Sequence, residues 1–233
     1  MNKKYHWILA GICLVAATVF LLDWLHLIPG RIYTAEDFGI TPAVSGMDFN
    51  QNGVDDYADL LAGAKADAAN RPTYNDAYYD GGYPPENIGV CTDVVWRAFR
   101  AAGYCLRDMV DRDVADHPED YPHITKRDKN IDFRKVRTLR VYLDRYALRL
   151  TDDTNEIAQW QAGDIVIFGN NQHIGIVSDR RNQRGQPYVL HNGGQWNREE
   201  DILSDSNVTG HYRFDATAIA ADLLIPMENN GTN

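Results

Sequence analysis

The stretch "GDIVIFGNNQHIGIVSD", residues 163–179, holds two runs of β-branched and aromatic residues on either side of Gly169-Asn170-Asn171-Gln172. Ile, Val and Phe crowd a helical turn and fit a pleated surface, and Gly/Asn between two such runs is turn chemistry, so the stretch predicts a hairpin. His173 then opens the second strand. Runs of the same texture follow at "PYVLHN" (187–192) and "GHYRF" (210–214). An antiparallel return from the His173 strand would carry His191 to the same end of the sheet.

Toward the N-terminus the period changes from two to between three and four. In "CTDVVWRAFRAAG" (91–103), Val95, Ala98 and Ala102 share a face and Gly103 suits a C-terminal cap. Residues 56–69 place Tyr57, Leu60, Leu61 and Ala64 on one side, and 132–147 align Val136, Leu139, Leu143 and Tyr146 with basic residues opposite. Between the first two helices, "NRPTYNDAYYDGGYPPENIG" (70–89) reads as a long loop punctuated by Pro72, Gly81-Gly82 and Pro84-Pro85. Helices first and antiparallel strands later predict an α+β fold, with helices packed on a small antiparallel sheet.

The chain of 233 residues, 44% hydrophobic, is long enough for one main domain with additions at its ends. A formal net charge of −10 and no Lys/Arg run longer than a pair exclude a nucleic-acid backbone as partner. Residues 1–30 carry Lys3 and Lys4 ahead of an apolar stretch, Trp7 to Leu22, that resumes after Asp23. Those sixteen residues span about 24 Å as a helix, short of the roughly 30 Å of a bilayer core, and Trp24 to Ile28 would extend them. No small-x-small cleavage site precedes Pro29, which favours a retained membrane anchor with everything after Gly30 outside; secretion after signal cleavage is the alternative. Cys13 reads as a thiol within that apolar helix, because Ile12 stands where a lipoprotein site needs a small residue. Residues 31–46 then read as a tether, 47–70 as an extension, 71–226 as the main domain and 227–233 as a polar tail. Oligomeric state is not legible.

Cys91 has three readings: nucleophile, half of a disulfide, or core filler. A bridge to Cys105 is opposed by geometry, since an intervening helix of residues 92–102 spans about 16 Å and bridged Cα atoms lie within about 7 Å. A cysteine opening a helix meets unpaired backbone N–H groups and the positive dipole end, which favours thiolate and suits a developing oxyanion. The base is then the question. His6 and His26 flank the apolar segment, His117 and His123 lie in a polar, solvated stretch, and His211 reads as structural. His173 remains as base, with His191 or Asn192 to orient it. Asp93, in the first helical turn, suits the dipole as a capping residue.

At these residues the chain resembles the NlpC-type cysteine peptidases, papain-like enzymes that cleave peptides of the bacterial cell wall. The resemblance covers roughly residues 74 to 214 and rests on three ordered motifs: "YYDGGYPPENIGVCTDVVWRAFRAAG" (78–103), "GDIVIFGNNQHIGIVSD", and the strand ending "YVLH". It implies a papain-like catalytic domain, Cys91 as nucleophile, His173 as base, His191 as third member and Tyr78 as a hydroxyl at the oxyanion site, with no catalytic cofactor. Val90-Cys91-Thr92-Asp93 stands where the family has Asp-Cys-Ser-Gly, so the chain resembles a separate branch. Amide cleavage in peptidoglycan stem or bridge peptides is the implied activity; acyl transfer or thioester hydrolysis by the same groups, or a wall-binding module without catalysis, are the alternatives.

"DFNQNGVDDYAD", residues 48–59, has the spacing of a calcium loop: oxygen side chains at one, three and five, Gly at six, an acid at twelve. Asp48, Asn50, Asn52, the Val54 carbonyl and Asp59 are candidate ligands, with Asp56 acting through water. An Asx-rich turn capping the next helix is the competing reading.

Overall fold

A computed structural model describes residues 3–24 and 31–228. Two compact units divide the chain, Met1–Ile32 and Tyr33–Asn233. The first holds helix α1, Lys3–Trp24, in which Lys4–Leu21 has a mean hydropathy of 1.6, long and apolar enough to cross a membrane. Anchors and signal segments both satisfy that test. His26, the extension over 25–28, and residues 229–233 of the tail lie outside the described residues.

In the second unit, α2 (Asp56–Asn70) starts at Asp55, whose side chain accepts from the Tyr57 N–H, an N-cap worth about 1 kcal/mol. A parallel pair, β1 (Thr73–Tyr74) and β2 (Ile88–Gly89), brackets the long loop. Helix α3 (Cys91–Ala101) follows directly, then α4 (Leu106–Asp116) and α5 (Val136–Tyr146). The strands are β3 (Leu148–Arg149), β4 (Ile165–Phe168), β5 (His173–Arg181), β6 (Pro187–Leu190), β7 (Glu199–Glu200) and β8 (Val208–Arg213). They form one antiparallel sheet in the order β3-β8-β4-β5-β6-β7. The fold is α+β, with the β4–β5 hairpin at the centre of its sheet.

Alternation along the strands divides the sheet into two faces. Ile165, Ile167, Ile174, Ile176 and Leu190 join the core formed by the helices, while Val166, Phe168, Val177 and Val189 pack with Trp160 and Leu203 on the other side. α2 crosses α3 at Gly63, where a Cβ would fall 2.7 Å from Ala101 Cβ and 2.8 Å from Ala98 Cα. Only glycine lets these two helices approach so closely.

Three readings of the sequence are corrected here. Helix α4 was absent from them: Leu106, Met109, Val110 and Val114 carry a helical period, but Asp113 shares the buried face and conceals it. Its carboxylate accepts the Tyr121 and Tyr146 hydroxyls and pairs with Arg145, so an acid occupies a core position. The helix read over 132–147 divides into a 3₁₀ turn, Asp132–Arg134, and α5, with Lys135 extended between them. The segment read as a tether is part of the domain from Tyr33 onward: Tyr33 bridges Arg181, Ile40 is 8% exposed, and the Ala43 N–H donates to Gln161 Oε1 at 3.1 Å.

Candidate active site

Cys91 opens α3 because the chain before it is extended at Val90 and Asp93 closes the first turn, its Oδ2 accepting from the Val90 N–H at 2.7 Å. Asp93 is more than a cap. Fully buried, it takes Trp96 Nε1 at 2.7 Å and Arg134 through both oxygens, at 2.8 and 2.9 Å. Arg134 also donates to the Ala77 carbonyl, and Thr92 Oγ1 donates to the Arg134 carbonyl at 3.0 Å. The start of α3 is thus fixed by a buried ion pair reaching the 3₁₀ turn before α5.

The thiol is 7% exposed. Backbone N–H groups of Ile174, Thr92 and Cys91 itself bear on the sulfur, yet burial outweighs them and pushes the thiol up to about 11. This reverses the expectation of a resting thiolate: three amides and a helix dipole do not replace the hydration lost by a sulfur held in the core. Cys91 and Cys105 are both free, and Cys105 Sγ lies 3.6 Å from the Tyr83 hydroxyl.

The Ile174 amide, which follows His173 in β5, is the first of the backbone groups that oppose the rise of the thiol. His173 pairs in register with Phe168 across the hairpin and shares the sheet face of Gly175, Val189 and His191, whereas Ile174 points toward the helices. Cys91 packs in the same core as Ile174, whereas His173 stands on the opposite face at the first position of the strand. Among the described residues, the two groups share no hydrogen bond, and burial holds His173 below its ordinary value. The pair rests neutral.

His173 Nε2 lies 2.8 Å from His191 Nδ1, with the rings nearly perpendicular at 87°. The antiparallel return of β6 thus delivers His191 as the sequence predicts. Gly175 makes room for it: a Cβ there would fall 2.6 Å from Val189 Cγ1 and 3.2 Å from His191 Cβ. Gly175→Ala is expected to cost about 1–3 kcal/mol by overpacking, and to raise the exposure of His191. Urea denaturation together with the His191 ring resonances checks both, and an unchanged ring environment would count against this role for the glycine.

Asn192, the other candidate orienter, is directed elsewhere, its amide donating to the Pro72 and Gly89 carbonyls at 3.2 and 3.0 Å. It anchors the turn 192–195 to β1 and β2. In that turn, a Cβ on Gly193 would stand 3.7 Å from His173 Cε1 and one on Gly194 3.6 Å from Tyr74 Cβ. The Tyr78 hydroxyl accepts from Asn130 Nδ2 at 2.9 Å and donates to Asp128. Tyr74 has its phenol raised by burial and then by the electrostatic influence of Cys91. The short strand β1 carries it, in a pairing too brief to leave a periodic signal. Glu200, 3.1 Å from His191 Nε2, also had no mark in the sequence.

The remaining histidines are structural or peripheral. His211 is fully buried between the Thr151 carbonyl and Asp164, stacked on Trp160 at 3.6 Å. His123, read as solvated, is partly buried and bonds Thr138 Oγ1 at 3.0 Å.

The 48–59 loop gathers most of its candidate ligands. Asp48 accepts from the Asn52 and Gly53 N–H groups, and Asp59 receives the amides of Asn50 and Asn52 at 2.9 and 3.0 Å. Gly53, at φ +87°, supplies the left-handed turn that position six needs. Asp56 is excluded: it is fully buried, with its carboxylate on the Phe49 N–H and the Tyr104 hydroxyl. Asp48, Asn50, Asn52 and Asp59, with the Val54 carbonyl, are the residues that could hold a hard cation, provided both amides turned their oxygens inward.

A family model described as Domain of unknown function (DUF1287) matches residues 61–214. Over 149 residues the chain is 38% identical to "Uncharacterized protein YijF" of Escherichia coli (strain K12), covering 61% of this chain and 72% of that one. No solved structure matches at a significant level.

Proposed function

The chain belongs to the DUF1287 family, whose matched region contains Cys91, His173 and His191, and for this member we propose a cysteine hydrolase of papain-like architecture that cleaves amide bonds in peptides of the bacterial cell wall. The observation that carries the reading is the 2.8 Å contact between His173 and His191 at the strand end whose next amide bears on a cysteine opening a helix. The wall-peptide substrate rests on the NlpC-type motifs in the sequence.

The chemistry follows from the neutral resting pair. His191 occupies Nε2 of His173, leaving Nδ1 to accept the thiol proton as the sulfur attacks the carbonyl carbon. The backbone N–H groups of Cys91 and Thr92, which bear on the sulfur at rest, become donors to the developing oxyanion. His173 returns the proton to the leaving amine, and water, deprotonated by the same ring, releases the acid and restores the thiol. The electrons for bond making come from sulfur and then from water, so no cofactor is required.

The test is mass spectrometry of purified peptidoglycan after incubation with the full chain in detergent. New peptide ends with one free amine per cleavage are expected; transfer products in their place would indicate an acyltransferase, and no change with wild type would remove the enzyme reading. The apolar α1 is read as the membrane anchor that keeps the domain outside the cell, near such a substrate.

Calcium in the 48–59 loop is the second part of the proposal, as a structural ion. The loop packs on the end of α3, where Asn50 donates to the Ala101 carbonyl at 2.8 Å, so the ion would secure the far end of the catalytic helix. At a calcium concentration near 100 times the dissociation constant, binding contributes about 2.7 kcal/mol, so chelator is expected to lower the melting temperature of wild type by about 5–10 °C and that of Asp48→Ala hardly at all. Equal shifts in both proteins would dismiss the ion.

A further inference from the structure

The short edge strand β7 sends its two glutamates to opposite faces of the sheet. Glu199 turns to Arg180 and Ser178, whereas Glu200, in register with Val189, lies on the face that carries the histidines. Its Oε2 is 3.1 Å from His191 Nε2, so three groups stand in line: Glu200, His191 and His173. We infer that Glu200 is a positioning residue, whose ionised carboxylate fixes the proton positions of both histidines and so makes His173 a base. This inference rests on the hydrolase reading of the site.

The argument is one of donors and acceptors. An ionised carboxylate only accepts, so His191 Nε2 must carry a hydrogen. His191 is held neutral, pushed down to about 3 by burial, the neighbouring His173 and Arg198. Its Nδ1 is therefore a bare lone pair. The 2.8 Å contact with His173 is then made by His173 Nε2–H donating, and neutral His173 is left with an unprotonated Nδ1, the nitrogen the thiol needs. A protonated Glu200 reverses every step: its O–H donates to His191 Nε2, His191 Nδ1–H donates to His173 Nε2, and His173 carries its hydrogen on Nδ1, where it cannot accept another. When the thiol proton does arrive, Glu200 balances the imidazolium through His191.

The surroundings fit this role. Burial raises the Glu200 carboxyl, while Gln195 and Arg198 oppose the rise. Those two and His191 are the polar and charged groups recorded against it among the described residues. Gln195 also reaches both His191 ring nitrogens at 3.2 Å. Glu200 is 30% exposed, enough to exchange protons with water. Among the described residues, no hydrogen bond joins it to the sulfur, and its contact with the histidine line is through His191.

The test compares wild type with Glu200→Gln and Glu200→Asp, each as the full chain in detergent, by the pH profile of Cys91 alkylation with iodoacetamide and by wall-peptide hydrolysis. Glutamine can donate or accept and no longer selects a tautomer. Its alkylation and hydrolysis rates are expected to fall about 10–100-fold with an unchanged melting temperature, and of the wild-type acid-side decline only the step from His173 protonation should remain. Aspartate, which keeps the charge, should recover part of the rate. Wild-type rates and profile in Glu200→Gln would overturn the inference, as would a loss matched by an equal fall in melting temperature and unrelieved by aspartate. Alkylation needs no substrate, so a chain that cuts no wall peptide yet shows the Glu200-dependent profile sinks the hydrolase reading and leaves the positioning role standing.

Discussion

Cys91→Ala is expected to reduce release of free amine from purified cell wall by at least about 10³-fold, with the melting temperature changed little. The substitution removes the only atom able to form the acyl intermediate, and a sulfur 7% exposed is a small loss of packing. His173→Ala should approach the same rate, because a thiol pushed up to about 11 carries almost no thiolate at neutral pH without a base to take its proton. The pH profile separates this arrangement from a preformed thiolate–imidazolium pair. His173 is held below 6.5 by burial, so activity should fall only as the pH drops below that value and the ring becomes protonated; it should not fall between pH 7 and 9. Hydrolysis surviving in Cys91→Ala would end the enzyme proposal.

The second large effect concerns stability. Arg134→Met is expected to cost about 3–5 kcal/mol in urea denaturation, because it leaves the Asp93 carboxylate buried without its cation. Val90 N–H and Trp96 Nε1 would still donate to that carboxylate, but neither carries charge. Asp93→Leu combined with Arg134→Met should recover much of the loss, since buried pairs replaced by apolar side chains of similar size are often neutral. A single-variant loss below about 1 kcal/mol would mean that water reaches the pair. The same pair fixes the first turn of α3, so Arg134→Met should also slow Cys91 alkylation, which links the fold to the chemistry through one side chain.

Much of the architecture was legible because it follows from local rules. The β4–β5 hairpin is written in two β-branched runs and a Gly/Asn turn, and α3 in its period and its Gly103 end. The placement of His191 beside His173 followed from antiparallel return alone. Helix α4 was lost because a buried acid, Asp113, took a core position and broke the pattern that apolar residues announce. Asp56 was assigned to the metal loop by spacing, but the fold buries it against Tyr104 instead. Tyr78 was chosen by motif, whereas its hydroxyl is engaged by Asn130 and Asp128.

The sequence by itself determined the class of fold, the helix that Cys91 opens and the sheet end where two histidines meet, because periodicity and turn chemistry act over a few residues. Only the tertiary structure decided the charge state of that end: a neutral thiol in place of a thiolate, Asp93 as half of an ion pair, Glu200 at the end of the histidine line. Burial and partner geometry set proton positions, and both depend on contacts between residues 9, 18 and 41 positions apart on different elements, which the periodicity of a single element does not record.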